Sequence, residues 1–570
     1  MGTIADKLTR IITTKEDIRQ ALISKGYDVP TSIPFKEYAK MISDLPCIVD
    51  YFPDIEGIVA RYSALDLTNE QMAANPVWVD KTGNGHDLQM KNFAWKEGSG
   101  ISDVYPGALV FDGVDDYGTC NNFPILTKEK GYTVVALRQW ISMGEGLYGL
   151  VSNVKNWFND GAFVLEYNSN DATNKFVNKP VSFGNVNIEM DLPNNFTYQT
   201  SKSYKGVPIT TGSFKGTNSL FVGKLNNIIG NCSNVAIWEL VFLDHDATEE
   251  ELTKIKDYFV KTYPWLFPYQ AWTVVGKTNE DEDRATIANI TGNGNDLVLS
   301  NFGFAEGSGY GLYKTPFELY PSVQHSSKYS LSFSKFALGD HNLIIAPKQN
   351  DLSYDIKVKV TGLKDGVKFK WGWIGTTGYI DITTDGIHML NKPASQIRQL
   401  LVEFAEDFDP DHVVTIEQIP EYEGYLVTDG VDDKAVSKQF KFGENFTVIL
   451  DFKFPVKKIS YCGFDLSSKV RIQNIQGSGV YVVLKGNKTL IPSNVVRAVT
   501  SEGKVYDENW NEYNIVPGNI SSNYTMVNLG FDGSNQFAES ATKLAGIYSS
   551  ALSKDDCIKA YNYLQTLKSK

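Results

Sequence analysis

The sequence repeats one of its own turns: Thr82-Gly83-Asn84-Gly85-His86-Asp87-Leu88 returns as Thr291-Gly292-Asn293-Gly294-Asn295-Asp296-Leu297. A chain that carries the same turn twice has duplicated the folding unit around it. The match extends past the turn. Asn92-Phe93 followed by Glu97-Gly98-Ser99-Gly100 recurs as Asn301-Phe302 followed by Glu306-Gly307-Ser308-Gly309, and Asp112-Gly113-Val114-Asp115-Asp116 recurs as Asp429-Gly430-Val431-Asp432-Asp433. Each copy then enters a β-branched, aromatic run, Tyr132 to Ala136 and Phe446 to Leu450, of the kind that reads as a buried strand. Gly in Gly-Asn-Gly and Asp-Gly positions supplies the positive φ of tight connections between strands.

Leu88 and Asp112 lie 24 residues apart, whereas Leu297 and Asp429 lie 132 apart, so the second copy carries about 108 additional residues at that point. An insertion of that length is a domain. Within it, Tyr354 to Val360 and Val367 to Trp373 alternate as strands do, and Tyr379 to Thr383 and His412 to Ile416 read similarly. The expected division is a helical attachment or oligomerisation segment at 1–46, a first repeat at 47–268, a second repeat at 269–312 and 424–570, and a small inserted β-sandwich at 313–423.

Both repeats close on the same device. Asn234 to Phe242 reads as a strand, Thr248 as a helix cap with Glu251 three residues on, and Leu252, Ile255 and Phe259 as the inward stripe; Ser553, Asp556, Cys557, Ala560 and Leu564 fall at the matching offsets. Pro264-Trp265-Leu266-Phe267-Pro268 then forms a short, stiff join. The opening segment differs from the rest. Thr14 and Asp17 suggest a cap, Ile18 and Leu22 a narrow apolar stripe, and Tyr38, Met41 and Ile42 one face of a second helix. Two such helices bury too little to stand alone, which suits attachment to a partner.

A net charge of −13 with no long basic run excludes counterion release from a phosphate backbone as a driving force, so nucleic acid is not an expected partner. No apolar run approaches the ~20 residues of a membrane helix. The five scattered cysteines include no Cys-x-x-Cys, and imply neither a zinc site nor a disulfide framework.

The Thr-Gly-Asn-Gly-x-Asp-Leu turn, the Phe111-to-Tyr117 motif and the closing strand with its capped helix resemble laminin-G-like domains of the concanavalin A-like lectin/glucanase fold. The opening segment, with Lys25-Gly26-Tyr27-Asp28-Val29-Pro30, is similar to N-terminal segments on fibre and appendage proteins of tailed phages, and the whole order resembles virion proteins of crAss-like phages. The resemblance implies a mainly β chain with two jelly-roll sandwiches, the second interrupted. It also implies a structural head- or tail-fibre protein of the virion, made in the host cytoplasm. Such a protein docks by its N-terminus on other virion proteins, forms a homo-oligomer and presents lectin-like domains to host-surface glycans. A purely architectural decoration protein and a polysaccharide depolymerase are the alternatives.

Candidate site residues follow from that reading. Trp95, Trp371, Trp373 and Tyr379 offer aromatic faces for sugar rings, and the same rings serve equally as packing. Asp112, Asp115, Asp116, Asp429, Asp432 and Asp433 supply carboxylates of the kind calcium takes, and some laminin-G-like domains hold calcium; Asp-Gly-x-Asp-Asp is also a self-bonded turn. No other cofactor is called for. Glu189-Met190-Asp191 begins the Glu-x-Asp-x-x-Glu pattern of glucan-cleaving relatives, but Leu192-Pro193-Asn194 follows, so the third carboxylate is missing and hydrolysis is not expected.

Overall fold

The computed structural model describes residues 13–16, 18–19, 34, 52–142, 147–153, 164–168, 175–178, 186–189, 196–204, 207–208, 217–225, 232–304, 308–312, 325–327, 330–333, 343–346, 354–363, 367–373, 380–392, 398–404, 411–419, 421–454, 461–467, 469–475, 479–493, 495–522, 524–532 and 537–569. The chain is mainly β, built from several antiparallel sheets.

The repeated turn is knitted by its own side chains. Asp87 Oδ1 accepts from the Asp80 amide at 2.8 Å, and Thr82 donates both its amide and its hydroxyl to Asp80 Oδ1, at 3.0 and 2.8 Å. Asp296 and Asn289 stand in the same relation at 2.8 Å, with Thr291 donating twice to Asn289 Oδ1. Asn84 and Asn293 each reach back to a backbone carbonyl, of Val59 and Tyr269, so the turn is tied to the strand that opens its repeat. The second echo is equally physical: Asn69 brackets the backbone of Ile101, and Asn279 that of Tyr310, each accepting the amide at 2.7 Å and donating to the carbonyl.

Among the described residues each repeat builds two eight-stranded antiparallel sheets, and strand for strand the order is the same in both copies. In the first, Thr133–Ser142 and Asn234–Leu243 pair at the centre of one sheet, with Phe196–Thr200 beyond the former and Ala108–Asp112 beyond the latter. In the second, Thr447–Lys453 and Glu539–Tyr548 take the central places. The other sheet runs through Leu147–Ser152, Leu220–Val222, Tyr117–Cys120 and Leu88–Lys91, matched by Tyr461–Leu466, Val527–Leu529, Lys434–Ser437 and Leu297–Ser300. Alternate residues divide each central strand between two cores. Val134 and Ala136 face the partner sheet within one apolar cluster, while Val135 and Leu137 face another. Burial on both faces explains why these strands read as continuous apolar runs.

Helix α1 (Asn69–Ala74), a short turn opened by a Thr68–Gln71 capping box, buries Met72 in the cluster between the sheets. The second face carries two longer helices. Helix α2 (Glu249–Thr262) begins with a Thr248–Glu251 capping box and buries Ile255, Tyr258 and Phe259. Helix α3 (Lys554–Gln565), capped by Ser553 onto the Asp556 amide, buries Cys557, Ala560, Tyr563 and Leu564. The expected caps and stripes are therefore present, with Tyr258 added and Leu252 only partly buried. The join is more than a stiff spacer. Pro264–Leu266 forms a 3-10 turn, and Trp265 and Leu266 belong to one apolar cluster that includes Trp238 and Phe259 of the first repeat and Leu544, Tyr548 and Leu564 of the second.

The insertion leaves its host where Gly309–Leu312 pairs with Glu421–Asp429, so its two ends emerge from adjacent strands. Its described strands form a five-stranded and a four-stranded antiparallel sheet. Tyr354–Thr361 and Val367–Trp373 are strands as expected; the later two are Ile380–Ile382 and Val414–Gln418. In the opening segment, residues 13–16 and 18–19 are helical. Ile18 there is half-buried, and Leu22, Tyr38, Met41 and Ile42 lie outside the described residues.

Candidate functional site

The Asp-Gly-Val-Asp-Asp turns sit where Ala108–Asp112 hands over to Tyr117–Cys120, and where Glu421–Asp429 hands over to Lys434–Ser437. Asp112 Oδ1 accepts from the amides of Val114 and Asp115, at 2.7 and 3.3 Å, and Asp116 Oδ2 accepts from the Asp112 amide at 3.0 Å. Asp429 and Asp433 repeat this at 2.8, 3.3 and 2.9 Å. Gly113 and Gly430 take φ of 78° and 73°, and a Cβ on Gly113 would lie 2.8 Å from that of Asn234. Asn92 and Asn301 donate to the carbonyls of Asp115 and Asp432, fastening each turn to the neighbouring loop.

Within each triad one oxygen per carboxylate lies within 4.8 Å of the others, a spacing a hard cation would accept. The hydrogen bonds favour the other use, since Asp112 Oδ1 and Asp116 Oδ2 are taken by the backbone of their own turn and only Asp115 is exposed. Asp116 and Asp433 are fully buried. Burial pushes both carboxyls up to about 6, against the pull of hydrogen bonds from Ser99 and Ser308 and from the turn amides. The folded state thus binds these protons more tightly than the unfolded chain. The contribution of each carboxyl to stability rises as pH falls from about 6 towards the ordinary value near 4. Moving from pH 7 to pH 5 is predicted to add about 1 kcal/mol per buried carboxyl, a rise of a few degrees in melting temperature. Asp116→Asn should remove its share. Excess calcium should leave the gain intact; calcium that raised the melting temperature at pH 7 and abolished the acid gain would make the triads cation sites.

Beside the first turn lies an open cleft of about 470 Å³, lined chiefly by Asn92, Asp115, Tyr117, Tyr148, Lys224 and Cys232. The Lys224 ammonium lies 4.9 Å from the centre of the Tyr117 ring. Strand pairing gives the matching positions in the second repeat. Tyr117 and Lys434 face Lys91 and Ser300; Gly223 and Gly530 follow Val222 and Leu529; Ser233 and Ala538 donate to the Gly223 and Gly530 carbonyls. Hence Lys224 corresponds to Phe531, Cys232 to Phe537 and Tyr148 to Tyr461. Phe531 and Phe537 stack at 5.7 Å with 23° between planes, and the Lys434 ammonium lies 5.6 Å from the centre of the Phe531 ring. The cation–aromatic pair is kept with its members exchanged. Two phenylalanines occupy the place that a lysine and a cysteine leave open.

Of the aromatic residues expected to contact sugar, Trp95 and Trp371 have described side chains. Trp371 is 1% exposed and its indole N–H donates to the Asn391 carbonyl at 3.0 Å, so it packs the insertion's interior rather than presenting a face. Trp95 is half-buried, adopts φ 53° and stacks on Phe93 at 4.8 Å; Phe304 takes its place in the second repeat, beside Phe302, which marks it as a loop anchor. Trp373 ends a strand and its side chain, like all of Tyr379, lies outside the described residues. Glu189 ends an outer strand paired with Lys175–Asn178, and Asp191 lies outside the described residues. The cleft residues Tyr148 and Lys224 carry no motif. Only the register of the two repeats, compared position by position, distinguishes them.

No protein-family model and no curated protein matches the sequence. Among solved structures, Trypanosoma rangeli sialidase in complex with sialic acid is similar at 12% identity and a TM-score of 0.26, over 37% of this chain and 34% of the sialidase. The receptor-binding domain of botulinum neurotoxin type G is similar at 11% identity and a TM-score of 0.23, over 67% of this chain and 86% of that domain. This chain thus spans about a third of the length of the sialidase it matches.

Proposed function

We propose that this protein is a non-enzymatic virion appendage of a tailed phage, docked by its N-terminal segment on other virion proteins and presenting two laminin-G-like jelly-roll domains to host-surface glycans. The observation that carries the binding role is the cleft of the first repeat, where two tyrosines, an amide, an ammonium and a carboxylate converge on an open space. Its chemistry suits recognition. Most glycoside hydrolases use two carboxyls set roughly 5 to 9.5 Å apart across a bond. Among the described residues that line this cleft, Asp115 is the one carboxylate, while Asp112 and Asp116 each give an oxygen to the backbone of the turn. The virion role rests on the resemblance of the opening segment and of the domain order. Homo-oligomerisation through that segment would multiply weak sites by effective concentration.

An architectural role is favoured by one observation. Ile380 on one outer strand of the insertion, and Ile387 and Met389 on the next, are about 60% exposed, and those two strands are the outer members of its two sheets. An apolar edge of that kind suits a protein partner. Binding of the full chain to intact host cells, measured with and without competing soluble host polysaccharide, separates the readings. Competition is expected for an adhesin, and cell binding that polysaccharide leaves untouched would contradict it.

A further inference from the structure

We infer that the cleft of the first repeat is a subsite for one neutral pyranose ring, and that the second repeat carries the same subsite closed by its own side chains. The inference deepens the adhesin reading and rests on it. Its first support is internal. The two repeats share the framework of the site, Asn92 with Asn301, the Gly-Val-Asp of each turn, and Tyr148 with Tyr461, on strands paired in the same register. Among the described residues lining the cleft they differ at three positions, and two of these set stacked phenylalanines where the first repeat has Lys224 and Cys232. A framework retained with and without a plug separates what folds the rim from what opens it.

The second support is chemical. A volume of about 470 Å³ lies in the range of small-molecule sites. Tyrosine rings cover the apolar face of a pyranose, and phenol, amide, ammonium and carboxylate groups exchange hydrogen bonds with its hydroxyls. The charge pattern selects among sugars. Lys224 is the one cation among the described residues lining the cleft, whereas Asp115 lines it with Asp112 and Asp116 close behind in the same turn. A uronate or sialate would bring a fourth carboxylate against three, and like charges at such spacing oppose binding. A neutral hexose meets no such opposition.

The test uses the full chain and saturation-transfer NMR with methyl hexosides, alongside a methyl uronoside. The wild type is expected to take saturation from at least one neutral hexoside and from the uronoside far less. The double variant Lys224→Phe/Cys232→Phe, which writes the second repeat's plug into the first, should lose that signal while retaining the wild-type melting temperature. If the double variant fails to fold, Lys224→Met asks the same question with the stem preserved, and at least tenfold weaker binding is expected. Hexoside binding that is undiminished in either variant would overturn the subsite while leaving an adhesin that binds sugar elsewhere. Equal or stronger binding of the uronoside would overturn the assignment to neutral sugars. Cell binding that persists with no hexoside bound would overturn the subsite alone, whereas loss of cell binding by the wild type would remove the adhesin reading on which it rests.

Discussion

Arg61→Ala is expected to destabilise the first repeat by roughly 3–5 kcal/mol, the cost of leaving a buried charge without its partner. Arg61 lies on Ile58–Ser63 and Glu239 on the adjacent central strand, with side chains 5% and 0% exposed. The guanidinium donates to both carboxylate oxygens, at 3.1 and 3.2 Å, and to the Tyr258 hydroxyl at 2.8 Å, while lying over the Phe52 ring at 4.2 Å. Tyr263 donates to Glu239 at 2.7 Å, so the network fastens α2 and the residues just after it to the sheet. Even with this support, burial holds the Glu239 carboxyl above its ordinary range. Removing Arg61 raises it further. The folded state then binds a proton that the unfolded chain releases, so the defect should be greatest at neutral and alkaline pH and ease as pH falls. Glu239→Gln in the Arg61→Ala background should restore part of the loss. Chemical denaturation of the wild type, Arg61→Ala, Glu239→Gln and the double variant measures the coupling; a cost below about 1 kcal/mol, independent of pH, would show the pair to be dispensable.

Trp265→Ala should cost about 3–5 kcal/mol and also uncouple the two repeats. The indole is 3% exposed, meets the Tyr263 ring edge-on at 5.5 Å and has the Lys559 ammonium 4.2 Å from the centre of its ring, while its carbonyl accepts from the Tyr548 hydroxyl at 3.0 Å. These partners come from both repeats, and the cluster around them is continuous. One calorimetric transition is expected for the two repeats of the wild type, and two for the variant, since the repeats would unfold separately once the shared core is breached. Two transitions already present in the wild type would mean that the join is a tether.

What the sequence reveals and what it hides divide along a physical line. The duplicated turn, the capping boxes and the alternating strands are local devices: Thr82 bonds Asp80, Thr248 bonds Glu251, and each shows within a few residues of text. The strand order of the second repeat follows from that of the first once the echo is noticed. The fate of an aromatic side chain is decided by what folds over it, so Trp371 reads as a candidate sugar platform and is a packed core residue. The Arg61–Glu239 pair joins positions 178 apart, and in the second repeat Leu544 stands at the position of Glu239 while the buried carboxylate is Asp451, one strand over, paired with Arg497. Such compensation leaves no mark in either copy of the motif. The cleft is hidden for the same reason, because Lys224 and Cys232 become legible only against Phe531 and Phe537.

On the proposed reading, one end of the chain attaches and the rest adheres. The full chain and a chain shortened to begin at Cys47 should be compared for incorporation into virions and for binding to intact host cells. The shortened chain is expected to bind cells as the full chain does and to be absent from virions. Failure of both chains to bind cells would contradict it and leave the protein an architectural part of the particle.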